Sequence, residues 1–128
     1  MEIGIKNRVE CTVSQELSAK TMGSGSLDVF ATPAMVALME KCAAESVEAL
    51  VGEGNSTVGT KIDVDHLAAT PLGMKVYCES ELIAEDGRSL TFKIDAFDEV
   101  GLIGKATHNR FVIAKERFVE KTYQKLSK

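Results

Sequence analysis

The stretch Ala31-Thr32-Pro33-Ala34-Met35-Val36-Ala37-Leu38-Met39-Glu40-Lys41-Cys42-Ala43-Ala44-Glu45-Ser46 decides how this chain folds. Thr32 has the side chain of a helix N-cap, and Pro33 suits the first helical position, where a missing N–H costs nothing. Met35, Leu38, Met39, Cys42, Ser46 and Leu50 then recur at steps of three and four, with Lys41, Glu45 and Glu48 on the opposite side. Gly52 and Gly54 end the run. The pattern predicts one amphipathic helix of about five turns, the longest element in the chain.

Ahead of this helix, Lys6 to Val13 alternates weakly and reads as a first strand, and Thr21-Met22-Gly23-Ser24-Gly25-Ser26 reads as a mobile loop. The Gly-Ser run is no phosphate cradle, because it lacks the lysine and the preceding buried strand of a P-loop. Behind the helix, Thr57 to Ala114 reads as strand throughout. Val58, Ile62 and Val64 alternate with Lys61, Asp63 and Asp65; Met74, Val76, Cys78 and Leu82 share one face; Leu90, Phe92, Ile94 and Ala96 form the next inward row. Asp86-Gly87 and Asp98-Glu99-Val100-Gly101 mark turns, and Leu102 to Ala114 is the last long strand. Lys115 to Lys128 is polar and predicts a terminal helix with Phe118, Tyr123 and Leu126 among its few apolar residues.

One long helix, one early strand and four later strands joined mainly by tight turns predict an antiparallel α+β fold, a single domain over residues 1–128. The sheet must cover the apolar stripe of the helix, since nothing else in the chain can. A sheet curled round one helix leaves its edge strands open, and pairing an edge with a second copy blunts that liability. A homodimer is therefore expected, with further pairing into tetramers left open.

Composition narrows the function. The 128 residues are 45% hydrophobic, 27% charged and 5% aromatic, and 15 Lys plus Arg stand against 19 Asp plus Glu for a formal charge of −4. A mildly acidic chain without a basic block makes a poor nucleic-acid binder. Its longest apolar stretch, Ala34 to Met39, is far short of the ~20 residues of a membrane span. Met1-Glu2-Ile3-Gly4-Ile5-Lys6 lacks the charged-then-apolar layout of a secretion signal, so a cytoplasmic location is expected. Cys11, Cys42 and Cys78 are odd in number and widely spaced, which fits reduced core residues rather than a disulfide framework or a zinc site.

Two polar residues stand where the periodicity expects something else. His66 continues the even-numbered row of Ile62 and Val64 and points toward the helix, while Asp63 and Asp65 point away; the three cannot converge on a metal from one straight strand, and no metal is expected. Glu40 falls beside Val36, Ala43 and Val47 on the flank of the apolar stripe, half-buried, two turns beyond Thr32. Each alone reads as a core histidine or an edge carboxylate. On surfaces that face each other, they are candidates for an acid–base pair.

These residues lie in segments that resemble the fluoroacetyl-CoA thioesterase family. The resemblance starts at Val29-Phe30-Ala31-Thr32-Pro33 with Met35-Val36 and Leu38-Met39-Glu40. It continues through Val58-Gly59-Thr60 and Val64-Asp65-His66-Leu67-Ala68-Ala69-Thr70-Pro71 with Gly73. It closes with Ile103-Gly104, Thr107-His108 and Arg110-Phe111-Val112-Ile113. The resemblance implies a hotdog fold, a long central helix wrapped by a curved antiparallel β-sheet, and hydrolysis of acyl-CoA thioesters at sites on a dimer interface, with no cofactor besides the CoA thioester as substrate. It places the family's catalytic threonine, glutamate and histidine on Thr32, Glu40 and His66. Gly59 matches the glycine that lets the thioester approach the backbone, and Arg110 an arginine lining the site, paired with Glu40 or clamping a CoA phosphate. Where the fluoroacetate enzyme carries a bulky aromatic gate before the helix, this chain has Ser24-Gly25-Ser26, which implies a broader or different acyl preference. A non-hydrolytic acyl-CoA binder and an enoyl-thioester hydratase are the alternatives on the same fold.

Overall fold

Five antiparallel strands and one long helix account for the architecture of the computed structural model, which describes residues 1–127. The strands are β1 (Lys6–Thr12), β2 (Asn55–His66), β3 (Lys75–Asp86), β4 (Ser89–Asp98) and β5 (Leu102–Ala114), ordered β1-β3-β4-β5-β2 in a single sheet. The helices are α1 (Ala19–Met22), α2 (Thr32–Val47) and α3 (Lys115–Tyr123). A 3₁₀ turn over Glu48–Leu50 extends α2, and another over Gln124–Ser127 extends α3; Lys128, the end of the expected terminal helix, lies outside the described residues. No helix among the described residues is long and apolar enough to cross a membrane.

The apolar stripe of α2 is the core's centre. Ala34, Met35, Leu38, Met39, Cys42, Ala43 and Val47 are buried, against Val76, Cys78 and Leu82 of β3, Leu90, Phe92 and Ile94 of β4 and Ile103 of β5. Each fully buried Leu, Ile or Phe contributes roughly 1.5–3 kcal/mol, so the stripe is what ties the helix to the sheet. Its far end departs from the expected pattern. Val47 fills the last core position, Ser46 is half-buried and Leu50 is exposed, because the backbone tightens into the 3₁₀ turn there.

The helix start also differs from expectation. Ala31, extended at φ −74° and ψ 140°, is the N-cap residue and makes no side-chain cap, while Thr32 is already helical. The reason is tertiary: the Thr32 hydroxyl is engaged by His66 instead of by its own first turn. The lead-in to the helix is pinned by backbone bonds, Phe30 N–H to Thr70 O and Ala31 N–H to Leu17 O, each 2.9 Å. The free cysteines fit the expected core role, with Cys42 and Cys78 buried and Cys11 half-buried.

A bulge in β2 shapes the site. The β2–β5 register runs Gly59↔Arg110 and then Lys61↔Asn109, leaving Thr60 without a partner. One extra residue reverses the side-chain parity of a strand. Downstream, Ile62, Val64 and His66 face the helix as their alternation predicts; upstream it is Thr57 and Gly59 that do, and Val58 does not share their row. The expected alignment of Val58 with Ile62 is thus corrected. His66, opposite Gly104, and Gly59 end up on the same face.

Candidate active site

The structure gathers the five candidate residues into two groups on the inner face. At the start of α2, Thr32 Oγ1 lies 2.7 Å from His66 Nδ1. His66 arrives there at the end of β2, its ring edge-on to Phe30 with centroids 6.5 Å apart. Burial lowers its pKa below the ordinary 6.5, against an opposing contact with the Ala68 backbone, so at neutral pH the ring is neutral. Its Nε2 is buried and makes no hydrogen bond among the described residues. The two residues line a cleft of about 310 Å³ with Ser24, Val29, Leu67 and Ala68, a wall of mixed polar and apolar groups.

Two turns along α2, roughly 12 Å at 1.5 Å per residue, Glu40 forms the second group. Its side chain is 41% exposed, and its carboxylate sits 3.7 Å from Arg110 Nη1. Gly59 packs directly beneath it: a Cβ there would lie 2.8 Å from Glu40 Oε2, 3.2 Å from His108 Cε1 and 3.4 Å from Arg110 Nη1. Only a residue without a side chain leaves the carboxylate this position.

Arg110 is buried, and its guanidinium is turned inward. Nε donates to Thr57 Oγ1 at 2.8 Å, Nη2 to Thr57 O at 3.0 Å, and Nη1 is 3.1 Å from His108 Nε2. Burial lowers its pKa, and the Glu40 and Glu48 carboxylates oppose that. Of the two partners expected for Arg110, Glu40 is the one this geometry presents.

No hydrogen bond or ion pair joins Glu40 to Thr32 or His66 among the described residues. Thr57 and His108 were not among the sequence candidates, yet both touch the Arg110 guanidinium. His108 carried a readable signal: it stands two residues before Arg110 in a strand, and therefore on the same face. Among the described residues, no three His, Cys, Asp or Glu side chains are grouped to hold a metal ion.

Comparison with known proteins agrees with the fold and with these segments. Residues 13–116 match the family model described as fluoroacetyl-CoA-specific thioesterase. The fluoroacetyl-CoA thioesterase of Streptantibioticus cattleyicolor is 42% identical over 98 residues, 77% of this chain and 70% of that protein. A crystal structure of the fluoroacetyl-CoA thioesterase FlK superposes with a TM-score of 0.91 at 34% identity, covering 98% of this chain and 97% of that one. A hot-dog-like protein from Thermanaerovibrio acidaminovorans, 20% identical, shares the fold with a TM-score of 0.88 over 98% and 93% of the two chains. With its long helix, its five-stranded antiparallel sheet and a family match over residues 13–116, this chain has the hotdog fold and belongs to the fluoroacetyl-CoA-specific thioesterase family.

Proposed function

We propose that this protein, a thioester hydrolase by family, hydrolyses a small or medium acyl-CoA to the free acid and CoA, using Glu40, His66 and Thr32. The observation that carries the reading is a half-exposed carboxylate, Glu40, held by Arg110 against the side-chain-free backbone of Gly59. Hydrolysis needs oxygen delivered to the thioester carbonyl carbon, a donor for the oxyanion and a proton for the leaving thiolate. Glu40 takes the first task, either by accepting a proton from the attacking water or by attacking the carbonyl itself to give an anhydride that water then opens. Backbone N–H near Gly59 supports the oxyanion, since the missing side chain permits close approach. The neutral His66, its Nδ1 against the Thr32 hydroxyl, orients or polarises the thioester or shuttles the proton to the leaving thiolate. All these roles use protein groups alone.

The two groups stand about 12 Å apart along α2, a separation that supports a site assembled from two protomers. β2 is an edge strand of 12 residues. Pairing it antiparallel with its two-fold copy brings the Gly59 end of one strand beside the His66 end of the other. The proposed active form is accordingly a homodimer, each site taking Glu40 from one subunit and Thr32 with His66 from the other, in the cytoplasm. The loop segment Ser24-Gly25-Ser26 carries no aromatic side chain, which supports an acyl preference broader than or different from fluoroacetyl.

Thiol release from a panel of short, medium and aromatic acyl-CoAs tests this. In folded Glu40→Gln and His66→Ala variants, turnover is expected to fall by about 10²-fold or more. Unchanged turnover in both overturns the site. Thermal stabilisation by CoA esters with no thiol released from any of them favours the non-hydrolytic binder instead. Single turnover in ¹⁸O-water tests the anhydride route: water opening the anhydride at the Glu40 carbonyl leaves label in that carboxylate, which direct attack on the thioester never does.

A further inference from the structure

His108 is among the most buried polar side chains, at 1% exposure, and it is absent from the set of reacting groups just assigned. A buried imidazole is costly unless both nitrogens are satisfied, and here both are. Nδ1 lies 2.7 Å from Lys61 O, and Nε2 lies 3.1 Å from Arg110 Nη1. A carbonyl cannot donate and a guanidinium cannot accept. One ring form meets both conditions, the neutral tautomer with its proton on Nδ1. Burial keeps the ring neutral, reinforced by the Arg110 charge and opposed by the Lys61 carbonyl and Glu40.

The contacts straddle the β2 bulge. On one side Thr57 takes Nε and Nη2 of Arg110, setting the plane of the guanidinium; on the other, Lys61 O anchors His108, which sets the position of Nη1. That same Nη1 is the atom 3.7 Å from Glu40 Oε2. We propose that His108 is a positioning residue for the Glu40 carboxylate: by bridging Lys61 O and Arg110 Nη1 across the bulge, it fixes the guanidinium that keeps Glu40 over Gly59. Its kinetic consequence rests on the thioesterase reading; its geometry does not.

His108→Leu keeps the volume without an acceptor, whereas His108→Gln can place Oε1 where Nε2 accepts from Arg110. For His108→Leu, kcat is expected to fall by about 10- to 100-fold with KM nearly unchanged, because a misplaced reacting group costs rate more than binding. His108→Gln should recover to within about fivefold of wild type, and adding His108→Leu to Arg110→Gln should cost less than about twofold more, since residues acting through one contact are not additive. Additive losses in the double variant, or a folded Gln variant no better than Leu, overturn the proposal. The ¹⁵N NMR spectrum gives a reading independent of turnover. Resolved Arg110 Nη signals should persist in His108→Gln and collapse in His108→Leu. If they do so while no CoA thioester is hydrolysed, the thioesterase reading falls and the positioning role stands. If His108→Leu leaves them unchanged, the positioning role falls whatever the turnover.

Discussion

Gly59 lies so close to Glu40 that a single methyl group on it would stand 2.8 Å from Oε2. The carboxylate is the far end of a flexible, half-exposed side chain and can move aside, which leaves only the 3.2 Å approach to the buried His108 Cε1 to be absorbed by a small shift. Gly59→Ala is therefore expected to fold with a melting temperature within a few degrees of wild type, a change of less than about 1 kcal/mol. Its kcat should nonetheless fall by about 10-fold or more, because the displacement lands on the reacting group. Thermal melts run beside thiol-release assays check this. Full activity in the alanine variant would show that the fit between Gly59 and Glu40 is not needed for turnover.

For stability, Gly104 gives the opposite expectation. It pairs with His66 across β5 and β2, and a Cβ there would meet Met35 Sδ at 2.7 Å, Met35 Cε at 2.8 Å and Asp65 O at 3.1 Å. Met35 is fully buried and Asp65 O is backbone, so neither can yield cheaply. Gly104→Ala should lose about 1–3 kcal/mol of stability, as overpacking of a filled core does. Its turnover below the melting temperature should fall as well, since Glu40 is untouched but His66 is the cross-strand partner of Gly104 and follows Asp65. Chemical denaturation of both glycine variants makes the comparison, and an unaltered midpoint for Gly104→Ala would contradict the packing described.

The contrast between these glycines also shows what was legible in the sequence. The core stripe of α2 could be read because burial against one sheet imposes a 3.6-residue period, and Met35, Leu38, Met39 and Cys42 keep it. The inward rows of β3 and β4 could be read in the same way from a period of two. The bulge at Thr60 could not. An extra residue in a strand leaves no mark in composition, and Val58 continues the apparent alternation that the bulge breaks. The Thr32 cap failed for a related reason: local propensity favours a cap, but His66 arrives from β2 and takes the hydroxyl. The part played by His108 could not be read from its place in the strand either. Its meaning comes from Lys61 and Arg110, brought to it by pairing of β2 with β5.

Acidification should destabilise the fold in two steps. Burial depresses His66 and His108 below the ordinary 6.5, so below pH 6.5 the unfolded chain binds more protons than the folded one. Their stabilisation is fully present above pH 6.5 and is lost as pH falls from there. Asp98 adds a second step. Burial acts to raise its pKa, but hydrogen bonds from Val100 N–H, Thr70 Oγ1 and Gly101 N–H outweigh it and hold the carboxyl below the ordinary 3.8. Its contribution is present above pH 3.8 and lost below it. Melting temperature against pH should be level near neutrality, fall below 6.5 and fall again below 3.8. His66→Gln should shrink the first step to the part owed to His108, and Asp98→Asn should remove the second. A melting temperature that holds steady or rises as pH drops from 6.5 to about 5 is incompatible with buried neutral histidines.

The sharpest consequence of a site shared between subunits is complementation. Thr32 meets His66 at the start of α2, while Glu40 sits two turns along it beside Gly59 and Arg110. If the thioester is attacked between one subunit's Glu40 and the other's His66, a Glu40→Gln homodimer and a His66→Ala homodimer have no intact site. A mixed dimer has one site carrying both substitutions and one carrying neither. Random reassociation of equal amounts makes half the dimers mixed, so about a quarter of wild-type activity should return. The experiment is to unfold and refold the two variants together and assay thiol release. Each variant refolded alone supplies the baseline. Recovery near a quarter requires residues from both chains in one site, whereas no recovery in demonstrably mixed dimers would confine Glu40 and His66 to the same subunit.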